Sequence, residues 1–155
     1  MSIVEICQSI HLDILTAVAW MLNDTIIYGF IILALVLTGE KRKEKRNIIL
    51  FSLVIAALAG IAIKEVLFVE RPCAGEEWCP GGHSFPSMHA LTAFVLMAAS
   101  IRKRTFPLYL LFALFICFTR LYLGVHVFQD IAAALPIAVV SYYVTNNVMK
   151  NGKRN

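Results

Sequence analysis

Long apolar runs alternate with short polar or basic stretches along this chain. Five runs lie at 23–39, 48–68, 87–101, 106–119 and about 127–148. None of them has the polar face expected of a helix at the surface of a soluble protein. The pattern therefore predicts an all-α, polytopic membrane helix bundle with about five transmembrane helices.

The N-terminal segment, residues 1–22, is less apolar than these runs. Its apolar positions are interrupted by Glu5, Gln8, His11 and Asp13. No lysine or arginine precedes a hydrophobic stretch here, as a secretory signal peptide requires. We predict an interfacial amphipathic helix over residues 10–22, which lies on the membrane rather than spanning it.

Composition supports the membrane class. The chain has 155 residues, of which 59% are hydrophobic and 15% charged, and its mean hydropathy is +0.75. The alternative is a soluble helical bundle with an apolar core, but its helices would need the polar faces that these runs lack. We predict one membrane domain over residues 1–155, with the lipid bilayer and not nucleic acid as its partner; the oligomeric state stays open.

Positive charge is distributed unevenly among the connections between the runs. All but three of the fourteen lysines and arginines fall in three clusters, at 41–46, 102–104 and 150–154. With five spans, all three clusters lie on the same side, which the positive-inside rule makes cytoplasmic, together with the C-terminus. The exceptions are Lys64, Arg71 and Arg120, each at the opposite, extracytoplasmic end of a run.

These three cations need an explanation other than topology. Lys64 and Arg71 are seven residues apart, so they share a helix face if the second span continues to Arg71. Taken singly, a lysine reaching the interface and an arginine in a wet loop are the simpler explanation. Together with Arg120 and two histidines on the same side, they resemble a site for an anion such as phosphate.

The stretch 119–130 places ionisable groups inside an otherwise apolar sequence, which is costly in a bilayer. If the chain is helical from His126 onward, Asp130 lies on the same face, one turn later. Its carboxylate can then hold one imidazole nitrogen and leave the other free to attack. A turn at Gly124 between two helices would bring Arg120 and His126 together.

The end of the long polar loop supplies a helix start. Pro86 and Ser87 precede the third apolar run, and Ser87 is the expected N-cap. The third and fifth spans both begin on the extracytoplasmic side, where free amides at helix N-termini bind anions. His89, one turn inside, is placed to donate a proton; for an isolated residue, a histidine hydrogen-bonded in the bundle interior is the simpler explanation.

Three segments together resemble the signature of the type-2 phosphatidic acid phosphatase superfamily, a family of integral membrane lipid phosphatases. They are Lys64-x6-Arg71-Pro72, Pro86-Ser87-Met88-His89 and Thr119-Arg120-x5-His126-x3-Asp130. Each segment is weak alone, but their order and spacing over residues 64–130 are specific. Met88 stands where the family usually has glycine, and Thr119 where it usually has serine. We expect these departures to tune rate or substrate shape rather than abolish activity.

The resemblance implies a mechanism for a single membrane phosphatase domain. His126 attacks phosphorus, Asp130 fixes its tautomer, and His89 protonates the departing oxygen and then activates water. The implied phosphate-binding residues are Lys64, Arg71, Ser87, Met88, His89 and Arg120. No metal or other cofactor is required, and the predicted extracytoplasmic side has no cluster of carboxylates suited to magnesium.

The third run is fifteen residues long, about 22 Å of helix, whereas the hydrocarbon core is roughly 30 Å thick. We therefore expect the site to lie below the extracytoplasmic surface, where a lipid headgroup reaches it sideways.

The resemblance leaves the substrate open. A compact chain with an outward-facing site resembles members that convert a polyprenyl diphosphate to the monophosphate. Phosphatidate and phosphatidylglycerol phosphate are the alternatives within the same chemistry. The phosphate site also resembles that of vanadate-dependent haloperoxidases, which are soluble. A non-enzymatic membrane scaffold or transporter, whose charged residues only pair, is the alternative of another class.

The four cysteines divide into two pairs by context. Cys7 and Cys117 lie among apolar residues and are most simply small core residues. Cys73 and Cys79 flank five residues of the extracytoplasmic loop, where a disulfide is favoured over free thiols. A zinc site formed by Cys73, Cys79, His83 and His89 is a weaker alternative, because its spacing matches no common zinc pattern.

Overall fold

The computed structural model describes residues 12–152, and all the regular structure in this part of the chain is α-helical. Six helices follow one another: α1 (Asp13–Asn23), α2 (Thr25–Gly39), α3 (Lys43–Leu67), α4 (Met88–Ser100), α5 (Phe106–Tyr122) and α6 (Phe128–Asn151). The prediction of an all-α bundle is confirmed, and α2–α6 begin and end within a few residues of the five apolar runs.

The number of membrane-spanning helices is less simple than five. Among the described residues, α3 and α6 are long and apolar enough to cross a membrane by themselves. A third span is possible if α1 and α2, which meet at 84°, form one broken span. α4 and α5 are apolar but have only 13 and 17 residues. Five is thus an approximate count of the apolar helices rather than of full-length spans.

The break between α1 and α2 has a local cause. Asp24 is extended, and its carboxylate accepts hydrogen bonds from the amides of Ile26 and Ile27, both at 2.9 Å. This cap starts α2 in a new direction, so α1 is a separate helix, as the interruption of the apolar pattern predicted. The part of the predicted N-terminal helix before residue 12 lies outside the described residues.

α4 is the most buried helix, and α3, α5 and α6 all pack against it. Its buried positions include Ala90, Leu91 and Val95, none of which has exposed surface. By contrast, apolar side chains such as Phe51 and Leu58 of α3 are more than half exposed. An apolar outer surface around a packed centre is what a bilayer environment favours.

The helix bundle has two ends with different residues, which we call the site end and the basic end. At the site end, the C-terminal ends of α3 and α5 meet the N-terminal ends of α4 and α6; for example, the Ser87 amide donates to the Asp130 carbonyl at 3.0 Å. At the basic end, the start of α3, the α4–α5 turn and the end of α6 come together. There, Lys103 pairs with Glu40 at 2.8 Å.

Two local expectations about helix boundaries are wrong. α3 does not continue to Arg71, because it ends at Leu67, where Phe68 takes a left-handed conformation with φ 49°. His126 is not helical either, since α6 begins at Phe128. The expected turn at Gly124 is present, with φ 65°, a conformation that glycine adopts easily.

Candidate active site

His126 and Asp130 form a buried pair at the site end, with 3% and 1% of their surfaces exposed. His126 Nδ1 lies 3.0 Å from Asp130 Oδ2, although His126 belongs to the loop before α6. The same carboxylate oxygen accepts a hydrogen bond from the Val127 amide at 3.1 Å, which fixes it at the helix start. Asp130 therefore holds the Nδ1 side of the ring and leaves Nε2 for chemistry.

Ser84 completes this arrangement, and sequence reasoning missed it. Its buried hydroxyl donates to Asp130 Oδ2 and lies 3.3 Å from His126 Nδ1. Three groups thus converge on one carboxylate oxygen. A serine within a turn-rich loop carries no periodicity and belongs to none of the three recognised segments, so no sequence signal pointed to it.

Arg71 reaches the other side of the histidine from the loop after α3. Its Nη1 lies 3.3 Å from His126 Nε2 and donates to the Val125 carbonyl at 3.1 Å. Its Nε donates to the Gly82 carbonyl at 3.2 Å. Burial lowers the pKa of the Arg71 guanidinium, and Asp130 opposes this shift. The guanidinium remains a cation at neutral pH and faces the free imidazole nitrogen.

Burial and nearby charged groups together determine the protonation state of His126. Burial lowers the pKa of His126, the hydrogen bond to Asp130 raises it, and the charge of Arg71 lowers it. The net direction is downward, which favours the neutral imidazole. A neutral ring with Nδ1 held by a carboxylate is the form that acts as a nucleophile.

Lys64 contacts the polar loop rather than His126 directly. Its Nζ donates to the backbone carbonyls of His83 at 2.5 Å and Ser84 at 3.0 Å. These bonds hold the segment that carries the Ser84 hydroxyl, and the ammonium has a third donor to spare. Lys64 thus both orders the loop and adds positive charge near His126.

Ser87 and His89 lie at the start of α4 and hold the unsatisfied polar atoms of the site. Ser87 occupies the predicted N-cap position, but its side chain makes no capping bond, contrary to expectation. Ser87 Oγ and His89 Nε2 are both buried without a hydrogen-bond partner in the described part of the chain. Both atoms are therefore available to hydrogen-bond a group that enters the site. The first-turn amides, including that of Met88, also lack intrahelical acceptors.

His89 is held in place by Tyr28 of α2. The two ring centroids are 4.4 Å apart, and the Tyr28 hydroxyl donates to the His89 carbonyl at 2.8 Å. His89 also lies within electrostatic range of His126, Arg71 and Arg120. The structure therefore brings both histidines to the same end of the bundle.

Arg120 is almost fully buried, at 1% exposure, but its contacts differ from the expected ones. Its Nη1 donates to Asn23 Oδ1 at 2.9 Å and its Nη2 to the Ala19 carbonyl at 3.4 Å, both on α1. Thr119 Oγ1 accepts from Arg120 at 3.3 Å. No described hydrogen bond joins Arg120 to His126 or Asp130, so its visible role is to tie α5 to α1.

An apolar groove of about 350 Å³ runs along α2, α3 and α4 and leads to the site. Its lining includes Ile32, Val54, Ala57, Met88 and His89. Met88 rests against Gly60, where an added Cβ would lie 2.6 Å from the methionine sulfur. The residue that replaces the usual glycine therefore forms part of the groove wall.

The cysteines of the loop are paired. Cys73 and Cys79 form a disulfide with their Cα atoms 5.6 Å apart, so neither thiol is available to a zinc ion. Cys117 is a buried free thiol, and Cys7 lies outside the described residues.

Two solved structures share this fold. Aquifex aeolicus LpxE matches with a TM-score of 0.72 and 20% identity, over 93% of this chain and 92% of that one. The PAP2-type phosphatidylglycerolphosphate phosphatase of Bacillus subtilis matches with a TM-score of 0.70 and 16% identity, over 96% of this chain and 83% of that one. At such identities the likeness shows the fold. No curated protein matches by sequence.

The sequence profile of the PAP2 superfamily matches residues 45–154, which is most of the chain. The matched region contains all the predicted site residues, namely Lys64, Arg71, Ser87, Met88, His89, Arg120, His126 and Asp130. Fold, motifs and sequence profile agree, and the chain belongs to the PAP2 superfamily.

Proposed function

We propose that this protein removes a phosphate group from a membrane lipid phosphate or diphosphate, with His126 as the nucleophile. The observation that carries the proposal is the buried His126, held at Nδ1 by Asp130 and faced at Nε2 by Arg71. A guanidinium next to a free imidazole nitrogen suits a phosphoryl group, which needs a nucleophile in line and positive charge around its oxygens.

The first chemical step is attack by His126 Nε2 on phosphorus. The N–P bond to the terminal phosphorus forms as the bond from that phosphorus to the lipid-side oxygen breaks. The lipid leaves as its monophosphate from a diphosphate, or as its alcohol from a monophosphate, and His126 becomes a phosphohistidine. Asp130 stabilises the imidazolium character that develops on the ring. Water then attacks the phosphohistidine, which releases inorganic phosphate and restores the imidazole.

His89 serves as the acid and then the base in this scheme. It protonates the departing lipid oxygen in the first step and accepts a proton from water in the second. The unpartnered His89 Nε2 supports this role. The Ser87 hydroxyl and the Met88 amide donate to the non-bridging oxygens, and Lys64, Arg71 and Arg120 supply positive charge.

The groove supports a lipid as the rest of the substrate. It is lined mainly by apolar side chains of α2, α3 and α4, and His89 is among its lining residues. A hydrocarbon tail lying in it would bring its phosphate to the start of α4. We favour a polyprenyl diphosphate, converted to the monophosphate, with phosphatidate or phosphatidylglycerol phosphate as the alternative; the Bacillus subtilis structure is titled a phosphatase of the latter lipid.

The proposed orientation puts the site end on the extracytoplasmic side and the C-terminus in the cytoplasm. It is supported by the basic residues that gather at the opposite end. The 13 residues of α4 span only about 20 Å, less than the roughly 30 Å of hydrocarbon. The site then lies below the membrane surface, where a lipid headgroup enters from the side.

The direct test is phosphate release by the detergent-purified protein from a panel of lipid phosphates and diphosphates. We expect His126→Ala to abolish release and His83→Ala to retain it, because the half-buried His83 ring packs edge-on against Phe68 and makes no described contact with His126 or Asp130. A chelator should leave the rate unchanged. Equal activity in His126→Ala would favour the scaffold or transporter alternative, and loss on chelation would contradict the metal-free mechanism.

A further inference from the structure

The basic end contains a cavity of about 340 Å³, at the opposite end of the bundle from His126. The start of α3, the α4–α5 turn and the end of α6 enclose it. Its polar lining comprises Lys45, Arg102, Lys103, Lys150, Tyr142 and Asn146. Four cations around one cavity form a focused positive potential rather than a uniformly charged surface.

A second cavity of about 330 Å³ lies between the start of α3 and the end of α6. Lys45 and Lys150 line both cavities, and Lys43 and Glu44 line the second. The aliphatic side chain of Ile48 also lines both cavities. Positive side chains above aliphatic walls match the junction of a phospholipid headgroup with its acyl chains.

Positive side chains outnumber negative ones in the linings of the two cavities. Lys103 pairs with Glu40 at 2.8 Å, but none of the described ion pairs includes Lys45, Arg102 or Lys150. Three cations held near one another by three different elements repel each other unless an anion lies between them. An anion bound in the cavity would relieve this repulsion.

Arg102 adds an independent observation. Its backbone is left-handed, with φ 69°, a conformation that costs a side-chain-bearing residue energy and that glycine adopts freely. Such strain concentrates where the surrounding structure needs a particular side chain, as in ligand clamps. Here the residue with the strained backbone is one that lines the cavity.

We propose that this cavity binds the headgroup phosphate of an anionic phospholipid, in the leaflet at the basic end. The ligand class is a glycerophospholipid with net negative charge, held by Lys45, Arg102 and Lys150, with Tyr142 and Asn146 as polar neighbours. This site is separate from the hydrolytic site and does not depend on hydrolysis. A bound lipid there would clamp α3, the α4–α5 turn and α6 together.

The test measures the thermal unfolding midpoint of the full-length protein in neutral detergent as lipid is titrated. We expect phosphatidylglycerol to raise the midpoint and phosphatidylcholine to leave it unchanged. The triple variant Lys45→Gln, Arg102→Gln, Lys150→Gln should need about tenfold or more phosphatidylglycerol for the same shift. Inorganic phosphate forms a third arm; protection equal to that of phosphatidylglycerol would overturn the assignment to a lipid.

The matched control is the variant Lys41→Gln, Arg42→Gln, Arg104→Gln, which removes the same charge from exposed residues at the same end that do not line the cavity. It should respond to phosphatidylglycerol as the wild type does. An equal loss in both triple variants would mean general attraction to anionic lipid and would overturn the site. An undiminished response in the cavity variant would mean binding elsewhere, with the same consequence.

Arg102→Gly separates ligand binding from folding. Glycine relieves the left-handed strain, so the unfolding midpoint without lipid should be unchanged or higher. The response to phosphatidylglycerol should nevertheless weaken, because the guanidinium is gone. A purely structural Arg102 predicts a full lipid response in this variant, which would contradict the proposal.

Discussion

At the scale of single residues, the site depends on one carboxylate oxygen. Asp130 Oδ2 accepts from Ser84, the Val127 amide and the His126 ring. The Val127 amide is part of the backbone and the Ser84 hydroxyl is buried, so neither donor moves easily and the carboxylate has little freedom to rotate. In the proposed mechanism, the imidazole would therefore present the same nitrogen to the substrate in every turnover.

Ser84→Ala tests this orientation. We expect kcat to fall about tenfold with little change in KM, because Ser84 contacts the catalytic pair rather than the substrate phosphate. Ser52→Ala is the matched control, since this buried serine bonds the Ile48 carbonyl within α3. Steady-state kinetics on both variants measure the effect, and a rise in KM at constant kcat would contradict the positioning role.

Met88→Gly tests the groove. The backbone amide remains, but the side chain that packs on Gly60 is removed, so the groove widens next to His89. We expect activity to persist and the ratio of kcat/KM values between bulky and slender lipid tails to shift several-fold toward the bulky one. Kinetics on lipid phosphates that differ only in their tails measure this ratio. An unchanged ratio would exclude Met88 from substrate selection.

At the scale of elements, the sequence predicted the helices better than their ends. Apolar runs locate α2–α6 because a bilayer helix must be apolar along most of its length. The second run, 48–68, located the end of α3 to within one residue, but the continuation of the helix to Arg71 was wrong because Phe68 takes a left-handed conformation that stops it. Arg71 was predicted to reach the site from the same helix face as Lys64, but it reaches His126 from the loop after α3.

The loop after α3 owes part of its order to the Cys73–Cys79 disulfide. Because Arg71 lies two residues before Cys73, we expect Cys73→Ser with Cys79→Ser to raise KM and to cost about 2 kcal/mol of unfolding free energy. Cys117→Ser is the control, as this thiol is unpaired. A mass shift on reduction of the wild-type protein reports the disulfide. If the double variant has the same kinetics as the wild type, the disulfide-bonded loop does not contribute to phosphate binding.

The Glu40–Lys103 pair joins the end of α2 to the α4–α5 turn. Burial alone would raise the pKa of Glu40, but hydrogen bonds from Lys103 and the Arg42 amide lower it below its ordinary value. The stabilisation is therefore complete above the ordinary glutamate pKa and is lost as pH falls through the lower folded value.

Glu40→Gln should accordingly lower the free energy of unfolding by about 1 kcal/mol at neutral pH. The difference from the wild type should disappear in acid, where Glu40 is protonated in both states. Thermal unfolding at several pH values measures it, with the exposed Glu77→Gln as the control. A difference that is constant with pH would show that the carboxylate charge is not involved.

At the scale of the whole molecule, four helix ends bring together residues that are far apart in sequence. The three recognised segments predicted His126, His89, Asp130 and the lone cations as one group, and the structure places them at one end. Ser84 and the contacts of Arg120 with α1 were beyond prediction, because they depend on how a loop folds and where α1 packs. Local patterns specify helices, whereas such contacts follow from tertiary packing.

The central claim is that His126 carries the phosphoryl group during turnover. Rapid acid-free quenching of the purified protein with a lipid phosphate, followed by peptide mass spectrometry, measures it most directly. We predict a base-stable phosphate on the peptide that contains His126 in the wild type, and none in His126→Ala. Turnover with no phosphate on this residue, or with phosphate on another one, would contradict the account.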